Sequence, residues 1–153
     1  MSSGERTLFL IKPDGVQRGL VSVIIERIEK KGLQIVGLKM MIVSGDLAKK
    51  HYEEHVGKPF FDNLVSFITS SPIVAMVLQG PNSIELTRNM MGKTNPLEAL
   101  PGTIRADFGV EVGRNLVHGS DSPDSAIREI SLFFEDSELL DWKNNQANWI
   151  IES

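Results

Sequence analysis

Three short apolar runs, TLFLI (7–11), LQIVGLKMMIV (33–43) and PIVAMVLQG (72–80), are separated from one another by segments with helical spacing. Runs of this length, rich in β-branched residues, read as buried strands, the first running into a turn at KPDG (12–15), so their alternation with helices predicts a mixed fold built on one sheet. Between the first two, LVSVIIERIEKKG puts Val21, Ile24, Ile25 and Ile28 on one helical face, with Lys30 and Lys31 in the last turn and Gly32 as the stop. DLAKKHYEEH (46–55) and PFFDNLVSFITS (59–70) predict two further helices. In NSIELTRNMMG (82–92) Asn82 is the expected cap, Glu85 holds the capping-box position and Gly92 ends the helix. Residues 93–115 predict a long loop of turns, and so long an irregular stretch in a compact domain is usually functional. NLVH (115–118) predicts a short extended piece. Ser122 and Pro123 then open a helix whose apolar stripe is Ala126, Ile127, Ile130, Phe133 and Phe134. The order β-α-β-α-α-β-α-loop-β-α contains two β-α-β halves. It predicts a ferredoxin-like α+β sandwich, a four-stranded antiparallel sheet covered by helices. A doubly wound parallel sheet would need more strands.

At 153 residues the expectation is a single domain, 1–153. No apolar run approaches the roughly 20 residues that cross a bilayer, so no membrane association is expected. The start, MSSGERTLFLIKPDG, lacks the basic-then-apolar order of a signal peptide, and the absence of cysteine excludes disulfides and thiolate catalysis. Both fit a cytoplasmic enzyme. The net charge of −4 argues against sequence-independent nucleic-acid binding as the main role. An anionic ligand must therefore be held by a local cluster of cations.

Two motifs point elsewhere and do not hold. HYEEH (51–55) matches the H-x-x-E-H pattern of inverted zinc proteases, with His51 and His55 one turn apart. Such a site needs a third protein ligand, and nothing downstream supplies a clear helical glutamate. GKT (92–94) resembles the tail of a P-loop, yet Thr87 stands where that motif needs glycine, and the segment follows a helix rather than a strand.

One constellation remains. Lys12 closes the first apolar strand, Arg88 lies on the helix before the long loop, Lys93, Thr94 and Arg105 lie in that loop, and Asn115 and His118 follow it. Cations and hydroxyls at strand ends and on loops are what polyphosphate binding requires. Glu129 borders the apolar stripe of the last helix, from where it can turn inward to Ser120 or the His118 imidazole and fix the ring's orientation.

KPDGVQRG, GKPFF, TNPLEALPGTIRADF and NLVHGSDS, in this order along the chain, resemble the nucleoside diphosphate kinases, and the resemblance covers nearly the whole sequence. The resemblance implies transfer of the γ-phosphoryl group of ATP to other nucleoside diphosphates through phosphohistidine. It implies that His118 is the nucleophile, that Tyr52 and Glu129 orient it, and that Lys12, Arg88, Thr94, Arg105 and Asn115 bind phosphates and sugar. Phe60 is implied to stack on the base and Val112 to support its other face. The resemblance further implies hexamers built from dimers, with tetramers also known in the family. Two departures stand out: Ala106 where the family commonly has glycine, and Ile151 where tyrosine is frequent.

The chemistry suits these residues. A free imidazole titrates near pH 6.5, so at neutral pH it offers a lone pair without needing a general base. Phosphoryl transfer is catalysed chiefly by alignment and charge neutralisation, which two arginines and a lysine supply. No carboxylate cage for a cation is visible. Mg2+ is expected to arrive on the nucleotide phosphates with most of its waters, without direct protein ligands. The alternative from another class is a catalytically silent interaction module that binds nucleotides or nucleic acid, which an intact His118 with its cations disfavours.

Overall fold

The computed structural model describes residues 4–152. Its centre is the first apolar run, β1 (Arg6–Ile11), in which Leu8, Phe9, Leu10 and Ile11 are all fully buried. Side chains alternate along a strand, so a run buried at every position requires cover on both faces of its sheet. Each such side chain contributes roughly 1.5–3 kcal/mol on burial. β1 pairs antiparallel with β3 (Ile73–Gln79), from Arg6 opposite Gln79 to Ile11 opposite Val74. On its other side it pairs antiparallel with the short β4 (Val117–Gly119). β2 (Gln34–Met41) extends the sheet beyond β3, giving the order β2-β3-β1-β4 of a ferredoxin-like antiparallel sheet.

Two helical layers provide the cover. Phe9 and Ile11 pack with Ile24 and Ile28 of α2 (Val21–Lys31) and with Met91 of α5 (Ser83–Met91). Leu8 and Leu10 pack with Ala48 of α3 (Gly45–His51), Ile68 of α4 (Phe61–Ile68) and Phe133 of α7 (Pro123–Phe133). The predicted stops and caps hold at Gly32, in the left-handed region at φ 93°, and at Ser122, whose hydroxyl accepts from the Ser125 N–H.

Four local readings are corrected. The KPDG turn is a short helix, α1 (Pro13–Gln17), with proline at its first position where no N–H is needed. Asn82 does not cap α5: its own φ is 54°, and the Glu5 carboxylate at the foot of β1 accepts the Ile84 N–H instead. The helix read over 46–55 ends at His51, after which a 3-10 turn, Glu53–His55, redirects the chain. The segment 93–115 is less irregular than expected. It holds 3-10 turns at Pro96–Glu98 and Val112–Arg114 and a helix, α6 (Ile104–Phe108), capped by the Thr103 hydroxyl.

Candidate active site

His118 lies at the middle of β4, opposite Leu10 of β1. Strand alternation sends Val117 into the layer under α2 and α5 and turns the His118 ring towards α3 and α7. There the Oε1 atom of Glu129, on the buried stripe of α7, lies 3.0 Å from His118 Nε2. The same oxygen accepts the Ser120 hydroxyl at 2.8 Å, and Ser120 in turn accepts the Leu8 N–H at 3.3 Å. Burial alone would raise the Glu129 carboxyl, but the bonds and charge from His118, with the Ser120 bond, outweigh it and hold the group below the usual carboxylate range. An ionised carboxylate has no proton to give, so the imidazole donates through Nε2 and keeps its lone pair on Nδ1.

The cations converge on the same short strand. The Arg88 guanidinium donates to the Gly119 carbonyl at 3.3 Å, and Arg105 donates to the Val117 carbonyl at 2.7 Å, so the two flank His118. Gly119 permits the approach of α5, since a Cβ there would come within 2.6 Å of Met91 Sδ. Arg105 also bonds the carbonyls of Asn115 and Gly92, at 3.1 Å each, and so ties the 93–115 segment to β4 while nearly buried. The Lys12 ammonium donates to the side-chain carbonyl of Asn115, whose amide donates to the Thr94 carbonyl at 3.0 Å. Burial, then the neighbouring Arg105 charge, lowers Lys12 to about 8 against the opposing effect of Asp14. Arg105 thus repels both Lys12 and Arg88, and no salt bridge neutralises any of the three among the described residues. An anion placed between them relieves that repulsion.

Asp14 was not visible as a site residue from sequence, although the lysine two positions earlier signalled a buried charge. Its Oδ2 accepts the N–H of Leu116 at 3.0 Å. Leu116 is fully buried at φ 76°, a strained conformation for a branched side chain, and it sits between Asn115 and the His118 strand. Asp14 therefore fixes the backbone turn that aims both residues.

A cleft of about 530 Å³ opens between α4 and the Val112–Arg114 turn, lined by Phe60, Leu64, Phe67, Gly113 and Arg114. Phe60 and Val112 are about half exposed, at 45% and 55%, and Arg114 lies over the Phe67 ring at 4.2 Å. Val112 itself belongs to the turn forming the second wall. A larger cavity, about 770 Å³, lies under α7 between Arg6, Ile127 and Phe134, away from the cation cluster.

Tyr52 reaches His118 through an intermediate ring. It meets His51 at a tilt of 58°, 4.6 Å between centroids, and His51 meets His118 edge-on at 4.7 Å. The metalloprotease pairing of HYEEH is absent: His51 is buried on the His118 side, while the turn after Tyr52 carries His55 to the Phe60 ring. Burial, then the adjacent His118, lowers His51 to about 3, so it is neutral, and neither of its ring nitrogens has a partner among the described residues.

The chain matches the family model described as nucleoside diphosphate kinase over residues 5–139. It is 59% identical to a nucleoside diphosphate kinase of Carboxydothermus hydrogenoformans over 97% of this chain and 99% of the relative. Identity to that of Archaeoglobus fulgidus is 57% over 97% and 98%. The fold superposes on a halophilic nucleoside diphosphate kinase of Halobacterium salinarum in complex with CDP with a TM-score of 0.95 at 52% identity, covering 97% of this chain and 99% of that one.

Replacing Asp14 with alanine leaves the buried Leu116 N–H unpaired and is expected to cost about 1–3 kcal/mol in urea unfolding. Asp14→Asn keeps an acceptor and should lose less. Equal losses in the two variants would show that the Leu116 bond is not what Asp14 contributes.

Proposed function

The chain belongs to the nucleoside diphosphate kinase family and passes the γ-phosphoryl group of a nucleoside triphosphate to a nucleoside diphosphate, in ping-pong order, through phosphohistidine; from this premise we propose how its residues divide the work. The whole chain, 1–153, acts as one domain. Nδ1 of His118 attacks the γ-phosphorus of ATP in line, the bond to the β,γ-bridging oxygen breaks, and the diphosphate departs with the electron pair. The acceptor diphosphate then attacks the phosphohistidine and restores the free ring. The observation that carries this assignment is the 3.0 Å bond between Nε2 and Glu129, which leaves Nδ1 as the available lone pair. As Nδ1 attacks, the ring gains positive charge, and the ionised Glu129 is already in place to stabilise it.

Lys12, Arg88, Arg105, Thr94 and Asn115 bind the phosphates and the sugar. Three N–H groups of Arg105 are occupied by carbonyls, which leaves two of the five a guanidinium carries for a phosphate oxygen. The base enters the cleft at Phe60, with Val112 on the far side, and Tyr52 steadies His118 through His51. The polyphosphate-facing set is cationic or neutral and contains no carboxylate cage, so it fits a Mg2+ held by the phosphates rather than by protein ligands. When bound, the ion neutralises phosphate charge alongside the arginines.

The chain assembles as a homo-oligomer, hexameric in the first instance, with a tetramer as the alternative. Support comes from the edge of β2, unpaired among the described residues, where Leu38 and Met40 are 54% and 61% exposed, from Ile42 just beyond it at 66%, and from exposed Leu97 and Val110 in the 93–115 segment. No helix among the described residues is long and apolar enough to cross a membrane. The cytoplasm, where triphosphates are made and spent, is the location this activity fits.

Incubation with γ-labelled ATP and magnesium, without acceptor, should leave an acid-labile, alkali-stable label that GDP discharges and that is absent from His118→Ala. An acid-stable label would contradict the phosphohistidine. kcat/KM should fall as pH rises through about 8, where free Lys12 loses its charge. Asp14→Asn should move that fall to lower pH, because Asp14 raises Lys12 while Arg105 and Arg114 lower it. An unmoved alkaline limb would assign it to another group. Sedimentation equilibrium should give the mass of six chains; a monomer would refute the assembly.

A further inference from the structure

His51 is a buried imidazole of which the phosphoryl transfer uses only the ring packing between Tyr52 and His118 and neither nitrogen. It is 4% exposed, and its Nδ1 and Nε2 atoms both lack a partner among the described residues. Two unsatisfied nitrogens in a buried site carry a free-energy cost that packing against Tyr52, His118 and Phe133 does not remove. One donor atom each from His51, His118 and Glu129 lie within 4.8 Å of one another. Two imidazoles and a carboxylate with an open fourth position are a composition that zinc accepts, and the ring nitrogens unmet by any hydrogen bond are the independent sign of a ligand.

We propose that His51, His118 and Glu129 form an inhibitory site for a borderline-soft divalent cation, Zn2+, in the unphosphorylated enzyme. Tetrahedral zinc with bonds of about 2.0–2.2 Å sets its ligand atoms roughly 3.3–3.5 Å apart. The His118 Nε2 to Glu129 Oε1 spacing is 3.0 Å, so this pair opens slightly. His51 closes the remaining gap, and it can turn without breaking any hydrogen bond. Two of the ligands need no deprotonation at neutral pH, since His51 is neutral and Glu129 is ionised.

The consequence for turnover rests on His118 being the nucleophile, whereas the binding itself does not. Zinc on Nε2 displaces the proton now shared with Glu129, and that proton moves through solvent to Nδ1. The ring stays neutral, but its attacking lone pair becomes an N–H bond. Zinc and nucleophilicity therefore exclude each other on one ring. HYEEH thus supplies one metal ligand, His51, to a site whose other members come from β4 and α7 rather than from its own helix.

Chelator-treated, unphosphorylated chain is titrated with Zn2+ by calorimetry without nucleotide, and with Co2+ as a visible-absorption probe. One ion per chain and the intense bands of tetrahedral Co2+ are expected for the wild type. His51→Phe preserves the ring contacts without ring nitrogens and should lose both signals, while His55→Gln should retain them. Phosphohistidine formation is then measured with and without buffered free zinc, and the ratio compared within each variant. Saturating zinc should slow the wild type by roughly tenfold or more, since a protonated nucleophile cannot attack, and leave the His51→Phe ratio near unity. Absence of zinc binding to the wild type, or equal zinc effects in wild type and His51→Phe, would overturn the site. A wild type that forms no phosphohistidine even without zinc would instead refute the functional reading, with calorimetry still deciding the metal site.

Discussion

The Glu129 carboxylate is the acceptor at which two structural layers meet the chemistry. The Leu8 N–H on the central strand donates to Ser120, the Ser120 hydroxyl donates to Glu129, and His118 donates to the same oxygen from the other side. Each member uses its proton once, so the direction of the chain is determined. Because β1 is buried from Thr7 to Ile11 and α7 packs directly on it, the tautomer of His118 is tied to the core rather than to a loop. That suits a nucleophile which must return to the same state after each half of a ping-pong cycle. Among the described residues the other cation beside Glu129 is Arg128, 4.0 Å from Oε2, which leaves Oε1 to His118 and Ser120.

Around that ring the charge balance is deliberately incomplete. A chain of net charge −4 gathers Lys12, Arg88 and Arg105 on one strand end without carboxylate partners. Arg105 shows how such a cluster is kept rigid: its bonds to three carbonyls hold the 93–115 segment, and what remains of its fork faces the ligand side. Asp14 sits one layer back, near enough to lift Lys12 and bonded to the strained Leu116 instead of to the cations. Positioning and binding are thus separate duties of adjacent groups.

Much of this was legible in the sequence because the signals were local. TLFLI ending in lysine, the Ser122-Pro123 start and the i+3 relation of Glu129 to Ala126 each follow from short-range rules, and the fold class followed from their order. What was not legible depends on residues far apart in the chain. The cap of α5 comes from Glu5, some 79 positions before Ile84, which no capping pattern reports. The Asp14 bond spans 102 positions to Leu116. HYEEH, rejected as a metalloprotease motif for want of a third ligand, is split for a related reason: helical spacing puts His51 and His55 on one face, but Tyr52 ends the helix and separates them. Likewise the segment 93–115 looked irregular because α6 is too short to show a periodicity.

The most direct test of the whole account is nitrogen-15 NMR of the His118 ring, with phosphorus coupling read after treatment with ATP. The free enzyme should show hydrogen on Nε2 and a bare Nδ1, and the phosphorylated enzyme should couple phosphorus to Nδ1. A proton on Nδ1 in the free enzyme, or phosphorus on Nε2, would contradict the claim that Glu129 chooses which nitrogen does the chemistry.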